Sequence, residues 1–235
     1  MNALDLFVDR VRAQWPDRKV PAFDPKDGGA AAKVLFLLEA PGPRAVKSGL
    51  ISRNNPDQTA RAFNELLAEA SIFPAETLLW NVVPWYIGNP ELTKIRPARV
   101  ADLKQAEPHL AELLGLLQAL RAVVLVGRKA RHKSVRTLIE RKAGGRIEVF
   151  ECYHPSPLVL NGRPHNRTKI LDELKKVRRA LDNEVVASTA APLNPSATAT
   201  ATDEVPKASD AGGAFRASVA AGGNDGPASR AARAR

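Results

Sequence analysis

Four short apolar runs separated by stretches of helical periodicity constrain this chain more than any other feature. They are Lys33–Leu38 (KVLFLL), Thr77–Trp80 (TLLW), Ala122–Val126 (AVVLV) and Ile147–Phe150 (IEVF). Runs of this length and apolarity read as strands of a sheet covered on its faces. Helical spacing is expected over Ala3–Gln14, Thr59–Ala70, Ala98–Leu120, from Gly127 through Arg141, and over Asn166–Leu181. Trp15-Pro16 ends the first helix and Gly144-Gly145 breaks the fourth. Strand and helix therefore alternate, which predicts an α/β fold: a three-layer α/β/α sandwich around a central four-stranded, mostly parallel sheet.

The alternation stops near residue 183. From Glu184 onward the chain is Ala, Ser, Thr, Pro and Gly with one aromatic residue, Phe215. Such a segment buries too little apolar surface to offset the entropy of ordering it. The expected organisation is one domain over 1–183 and a disordered low-complexity tail over 184–235. The tail balances its charges, so the net +10 lies in the domain, and residues 121–179 alone carry 16 Lys/Arg against 5 Asp/Glu. A block this basic suits a polyanion, nucleic acid above all, although a solvated helix surface has the same composition. The single cysteine, Cys152, excludes an internal disulfide and any site needing several thiolates. The N-terminal stretch reads as an amphipathic charged helix rather than a secretory leader, and no apolar run approaches membrane-spanning length. A cytoplasmic location with no membrane partner is expected.

In open parallel sheets, ligand sites form beyond the carboxyl ends of the strands. Four unusual segments follow the four runs directly: Glu39–Pro43, Asn81–Trp85, Gly127–Lys129 and His154–Leu158. Taken one at a time they have ordinary readings. Glu39 can cap a loop, Asn81 can tie down its own turn, His154 can satisfy a carbonyl, and Gly127 can serve a tight turn. Their common position at strand ends predicts a shared crevice with polar groups, proline-stiffened walls and basic flanks.

The segments LLEAPGP, LLWNVVPW, VVLVG and YHPSPLVLN, in that order, resemble the motifs of the uracil-DNA glycosylase superfamily. The EAPG form is similar to the family-4 branch and HPSPL to the family-1 branch, and the resemblance covers about Val34 to Leu181. It implies an enzyme that flips uracil from DNA and hydrolyses its glycosidic bond, leaving an abasic-site product. By resemblance Asn81 reads the uracil amide edge, and His154 hydrogen-bonds uracil O2 and stabilises the departing anion. Glu39 is a third candidate catalytic group, and Ala40, Pro41, Gly42 and Ile51 line the base pocket. Leu158 fills the gap left by the flipped base, while Pro155, Ser156 and Pro157 pinch the DNA backbone. Arg128, Lys129, Arg131 and Arg163 are expected to neutralise phosphates, from charge and position alone.

The chain departs from the pattern in four places. Ala40 stands where the family-1 branch has a water-positioning aspartate, so the water falls to Glu39, Asn81, a main-chain carbonyl, Asp57 or a group not placed by the motifs, or else catalysis rests mainly on leaving-group stabilisation. Gly42 replaces the tyrosine that excludes thymine, so that exclusion is weaker or falls to other residues. Ile51 aligns with the phenylalanine that stacks on uracil. The family-4 iron–sulfur cluster needs four cysteines, and one is present. The expectation is a monomeric, monofunctional glycosylase without metal or cofactor. A lesion-binding protein of the same fold and an α/β hydrolase acting on a free nucleotide are the rival readings.

Overall fold

The computed structural model describes residues 2–163 and 165–189, with side chains through Asn183. In chain order the elements are α1 (Ala3–Gln14), β1 (Ala22–Phe23), β2 (Val34–Leu38), α2 (Pro43–Ser48), β3 (Leu50–Ile51), α3 (Gln58–Glu69) and β4 (Thr77–Asn81). There follow α4 (Val100–Leu116), β5 (Ala122–Val126), α5 (Lys133–Ala143), β6 (Glu148–Cys152), α6 (Pro157–Gly162) and α7 (Asn166–Thr189). The central sheet has the order β4-β2-β5-β6, and every pairing in it is parallel. Helices α1, α4 and α5 pack together, as do α3 and α7, giving helical layers about the sheet. The expected three-layer α/β/α sandwich is the observed fold, with the four-stranded sheet parallel throughout.

Burial follows strand position. The central strands are closed to solvent: Val34 to Leu37 in β2 and Val123 to Val126 in β5 are all fully buried. Strand β6 lies at an edge and keeps Glu148 exposed and Val149, Phe150 and Glu151 half-buried, as a one-sided strand should. Trp80 of β4 stacks on Phe23 with ring centroids 4.0 Å apart, and Phe7 of α1 meets Trp80 edge-on at 5.9 Å. These contacts fasten α1 and β1 to the sheet.

Register decides what meets at the carboxyl ends. Leu38 pairs with Asn81, and Val126 pairs with Cys152. The ladder continues past the strands: Val82 N–H donates to Leu38 O at 2.8 Å, Val83 N–H to Glu39 O at 3.0 Å, and Gly127 N–H to Cys152 O at 2.9 Å. All four expected segments therefore emerge at one end of the sheet.

Several boundaries differ from expectation for local reasons. Strand β6 runs two residues further, because Val126 and Leu125 of β5 pair with Cys152 and Glu151. Helix α4 starts at Val100, where the Asp102 carboxylate accepts the Arg99 N–H at 2.7 Å. The helix expected from Gly127 begins at Lys133. Gly127 has φ +85° and leads into a turn over 128–131, and the His132 ring then accepts the Ser134 N–H at 3.3 Å as cap. The stretch 46–56, expected as loop, holds the end of α2 and strand β3, which pairs in parallel with β1. Pro157 and Leu158, expected in a loop, open α6, since proline fits the first helical turn. Helix α7 runs to Thr189, past the expected end at Leu181. Helix α7 thus takes in residues 184–189 of the expected disordered tail, 184–235, whose remainder lies outside the described residues.

Leu37 is fully buried in β2 with strands on both sides. Leu37→Ala is expected to destabilise the domain by about 2–5 kcal/mol, read from chemical denaturation with unchanged m-value.

Candidate active site

A cavity of about 520 Å³ opens at the carboxyl ends of β2 and β4. The residues after β2 (Glu39 to Arg44), the loop Ile51–Asp57, Asn81 and His154 line it, with Phe63 and Leu79 among the apolar wall and Ile95 to Pro97 completing the rim. Seven expected residues meet here: Glu39, Ala40, Pro41, Gly42, Ile51, Asn81 and His154. Asp57 joins them. The expected backbone-contacting residues Pro155, Ser156, Pro157, Leu158, Arg128, Lys129, Arg131 and Arg163 lie outside the cavity.

Asn81 is the last residue of β4 and only 3% exposed. Its amide makes no hydrogen bond among the described residues, yet it lines the cavity. An amide kept in that state at a cavity wall is suited to a ligand with a matching donor and acceptor edge.

His154 faces the same space from beyond β6. Its Cβ lies 3.1 Å from where a Cβ on Gly127 would stand, so the tight turn after β5 leaves just enough room for it. Gly127 is thus required twice, by its φ of +85° and by this close approach. Burial holds the His154 pKa below the ordinary imidazole value, and the Asp57 charge opposes that shift. The ring is therefore neutral near pH 7 and carries one N–H donor. It makes no hydrogen bond among the described residues.

The Glu39 carboxylate is partly engaged. Its Oε1 accepts the Ala98 N–H at 2.5 Å, which ties the chain before α4 to the end of β2. Ile51 is buried at the floor because β3 pairs with β1, Ile51 opposite Phe23. Gly42 has no atom within 4 Å of a Cβ built on it, so its side of the pocket is open.

Sequence reasoning missed the wall's buried cation. Arg53 is 3% exposed, lines the cavity and forms an ion pair with Asp27 at 3.1 Å, and it donates to the Thr77 hydroxyl. Asp27 also accepts the Leu79 N–H at 3.2 Å. Its carboxyl is pushed up to about 6 by burial, which outweighs the Arg53 charge. A buried arginine in the polar string SRNNPD has no signature of its own, because burial there is set by Asp27, far away in sequence.

The outward-facing residues lie around the sites of emergence. Leu158 is 85% exposed at the first turn of α6, an unusual position for a large apolar side chain. Pro155 is buried, Ser156 and Pro157 half-buried, Arg128 and Arg163 exposed, and Lys129 half-buried. Arg131 lies over the Tyr153 ring at 5.5 Å and lines a separate groove of about 960 Å³ beside β6. That groove is larger, but none of the motif residues expected to handle the base lines it. Cys152 is buried with its thiol pushed up to about 12 by desolvation.

The family model of the Uracil DNA glycosylase superfamily matches residues 25–175. The chain belongs to that superfamily. The match contains every residue of the cavity and all of α3, which supplies part of its wall. Membership supports a glycosylase-type role in DNA repair, with DNA as the bound substrate. No curated protein matches the chain. The four-cysteine cluster of the family-4 branch does not fit this member, which has one cysteine in all. Among the described residues no group of three or more His, Cys, Asp or Glu could hold a metal ion.

Two outcomes follow from the unpaired amide and the depressed imidazole. Asn81→Ala removes no protein hydrogen bond, so its melting temperature should equal or exceed that of the wild type, unlike a core truncation. In an NMR titration the His154 ring should have its midpoint below that of a denatured-state histidine. Because folding favours the neutral ring, its stabilising contribution is complete above the unfolded pKa and is lost as pH falls through that value toward the folded one.

Proposed function

We propose that this protein is a monofunctional uracil-DNA glycosylase of base excision repair. It extrudes uracil from DNA, hydrolyses the N-glycosidic bond and leaves an abasic site. The observation that carries this reading is the unpaired Asn81 amide facing the same cavity as a neutral, unpartnered His154, in a domain of this superfamily.

The flipped base enters the cavity with Ile51 beneath it and Asn81 at its amide edge. Asn81 accepts from N3–H and donates to O4, a pairing that uracil offers and cytosine reverses. His154 donates its N–H to O2. As the C1′–N1 bond breaks, charge builds on the uracil oxygens, and a donor fixed there in a water-poor site stabilises it without reorganisation. No lysine lines the cavity, so nothing offers a Schiff base to the sugar, and hydrolysis stops at the abasic product.

On the DNA side, Leu158 occupies the gap in the base stack, and Pro155 to Pro157 press on the backbone beside it. Arg128, Lys129 and Arg163 meet phosphates. Arg131 is already engaged by Tyr153 and, at 4.0 Å, by Glu151, and it contributes less. Glu39 holds the chain before α4 with one oxygen and turns the other to the substrate. The protein works as a cytoplasmic, nucleoid-associated monomer.

The test is alkali-revealed strand scission of labelled oligonucleotides bearing one uracil, single-stranded and opposite guanine or adenine. The wild type should cleave, with Asn81→Ala and His154→Ala each slower by about 100-fold or more. Leu158→Ala should lose activity mainly on duplex. A folded wild type that binds uracil duplex without cleaving it would instead favour a lesion-binding protein. Hydrolysis of free nucleotides alone would favour the third reading.

A further inference from the structure

The cavity holds one more acidic group whose placement the family motifs do not explain. Asp57 is the N-cap of α3, and its Oδ1 accepts the Ala60 N–H at 2.9 Å. Its Oδ2 has no partner among the described residues, and the residue lines the cavity with Asn81 and His154. We propose that Asp57 is the catalytic base that orients and deprotonates the attacking water. This rests on the glycosylase reading.

The loop that carries Asp57 is tied down at nearly every residue. Ser52 donates to Asp24, and Asn54 does so at 3.4 Å. Arg53 is held in the buried pair with Asp27, Asn55 donates to Leu50 O at 3.0 Å, and Asp57 N–H donates to Asn55 O at 2.7 Å. Two of these anchors are buried or half-buried carboxylates. So many ties on six residues fix the carboxylate in one place before substrate arrives, as a reacting group requires.

Substrate chemistry selects Asp57 over Glu39. His154 addresses uracil O2, which is attached to C2, next to N1. The sugar C1′ is bonded to N1 and so lies on the His154 side, whereas Asn81 reads the opposite, N3–O4 edge. The acid closest to the reacting carbon is the one that shares space with His154. Asp57 lines the cavity with His154 from a loop fixed at nearly every residue, and its charge opposes the lowering of the His154 pKa by burial. Glu39 lines the same cavity but has one oxygen committed to the Ala98 N–H, which holds it toward the chain before α4. The charged groups facing the cavity are otherwise arginines 44, 53 and 96.

In the reaction a water O–H proton passes to Asp57 Oδ2 while the oxygen bonds to C1′. The C1′–N1 bond breaks, and its electron pair leaves with uracil as the anion held by His154 and Asn81. Solvent later protonates that anion, and Asp57 returns its proton to solvent. The carboxylate also faces the positive charge that develops on the sugar.

The ordinary role of Asp57, capping α3, is separable from this one because Asn and Ser cap equally well. Asp57→Asn and Asp57→Ser are therefore compared with wild type and Glu39→Gln on uracil DNA under single turnover. Affinity for a non-cleavable 2′-fluoro-uridine duplex, melting temperature and the His154 NMR midpoint are measured alongside. Both Asp57 variants should lose about 100-fold or more in rate, in the range of general-base contributions. Melting temperature and analogue affinity should hold, and the His154 midpoint should fall further. Wild-type rates in both variants would overturn the assignment, as would losses that track affinity or melting temperature. A collapse confined to Glu39→Gln would move the role to Glu39. Absence of cleavage by wild type would overturn the glycosylase reading itself, and this inference with it.

Discussion

Parallel strand pairing is the constraint on which the rest of this structure depends. Because β4, β2, β5 and β6 all point the same way, each delivers the residues that follow it to one end of the sheet. The register then sets who meets whom: Asn81 opposite Leu38, and Cys152 opposite Val126. A one-residue slip in either pairing would turn the strand over and bury or expose the wrong side chains. The fully buried β2 and β5 prevent that slip, since their apolar side chains fill both layers of the core. The cavity is a consequence of that core. The ends of β2 and β4 form part of its wall.

On that frame sits a second, polar layer of organisation. The buried Asp27–Arg53 pair, Thr77 and the Leu79 N–H fasten the loop over 52–57 to β4, and the Glu39–Ala98 hydrogen bond fastens the entry to α4. Ion pairs taken out of water yield little net stability, but breaking one leaves an uncompensated charge, so the arrangement is strongly specified. These contacts are all made within the chain itself. Among the described residues the Asn81 amide, the His154 ring and one oxygen each of Glu39 and Asp57 face the cavity without a hydrogen-bond partner, while Asp27 Oδ1, Arg53 Nε, Trp85 Nε1 and Arg178 Nε are buried without one.

Electrostatics divides the site from its surroundings. The His154 ring is desolvated and neutral, Asp57 stands near it, and the outer surface is basic around Arg128, Lys129 and Arg163. The basic outer surface suits a polyanion, whereas the cavity sets Asn81 and His154 among apolar wall residues such as Ile51, Phe63 and Leu79. Long-range attraction and short-range selection are carried by different residues.

The alternation of four apolar runs with helical stretches was enough to determine the sandwich, because strand and helix periodicities differ and parallel strands need crossovers. The order of EAPG, the asparagine strand and HPSPL determined the superfamily and seven cavity residues, since each motif directly follows a strand and strand ends share one edge. Tertiary structure decided what depends on distant partners. Arg53 is buried because Asp27 waits for it; Ile51 reaches the floor because a two-residue strand pairs with β1; Arg131 turns to Tyr153 rather than to the cavity. Asp57 shows the difference most clearly. Its sequence context predicts a helix cap, and it is one, but only packing brings that cap beside His154. A short-range pattern fixes the conformation of a segment, while the groups it faces belong to segments many residues away.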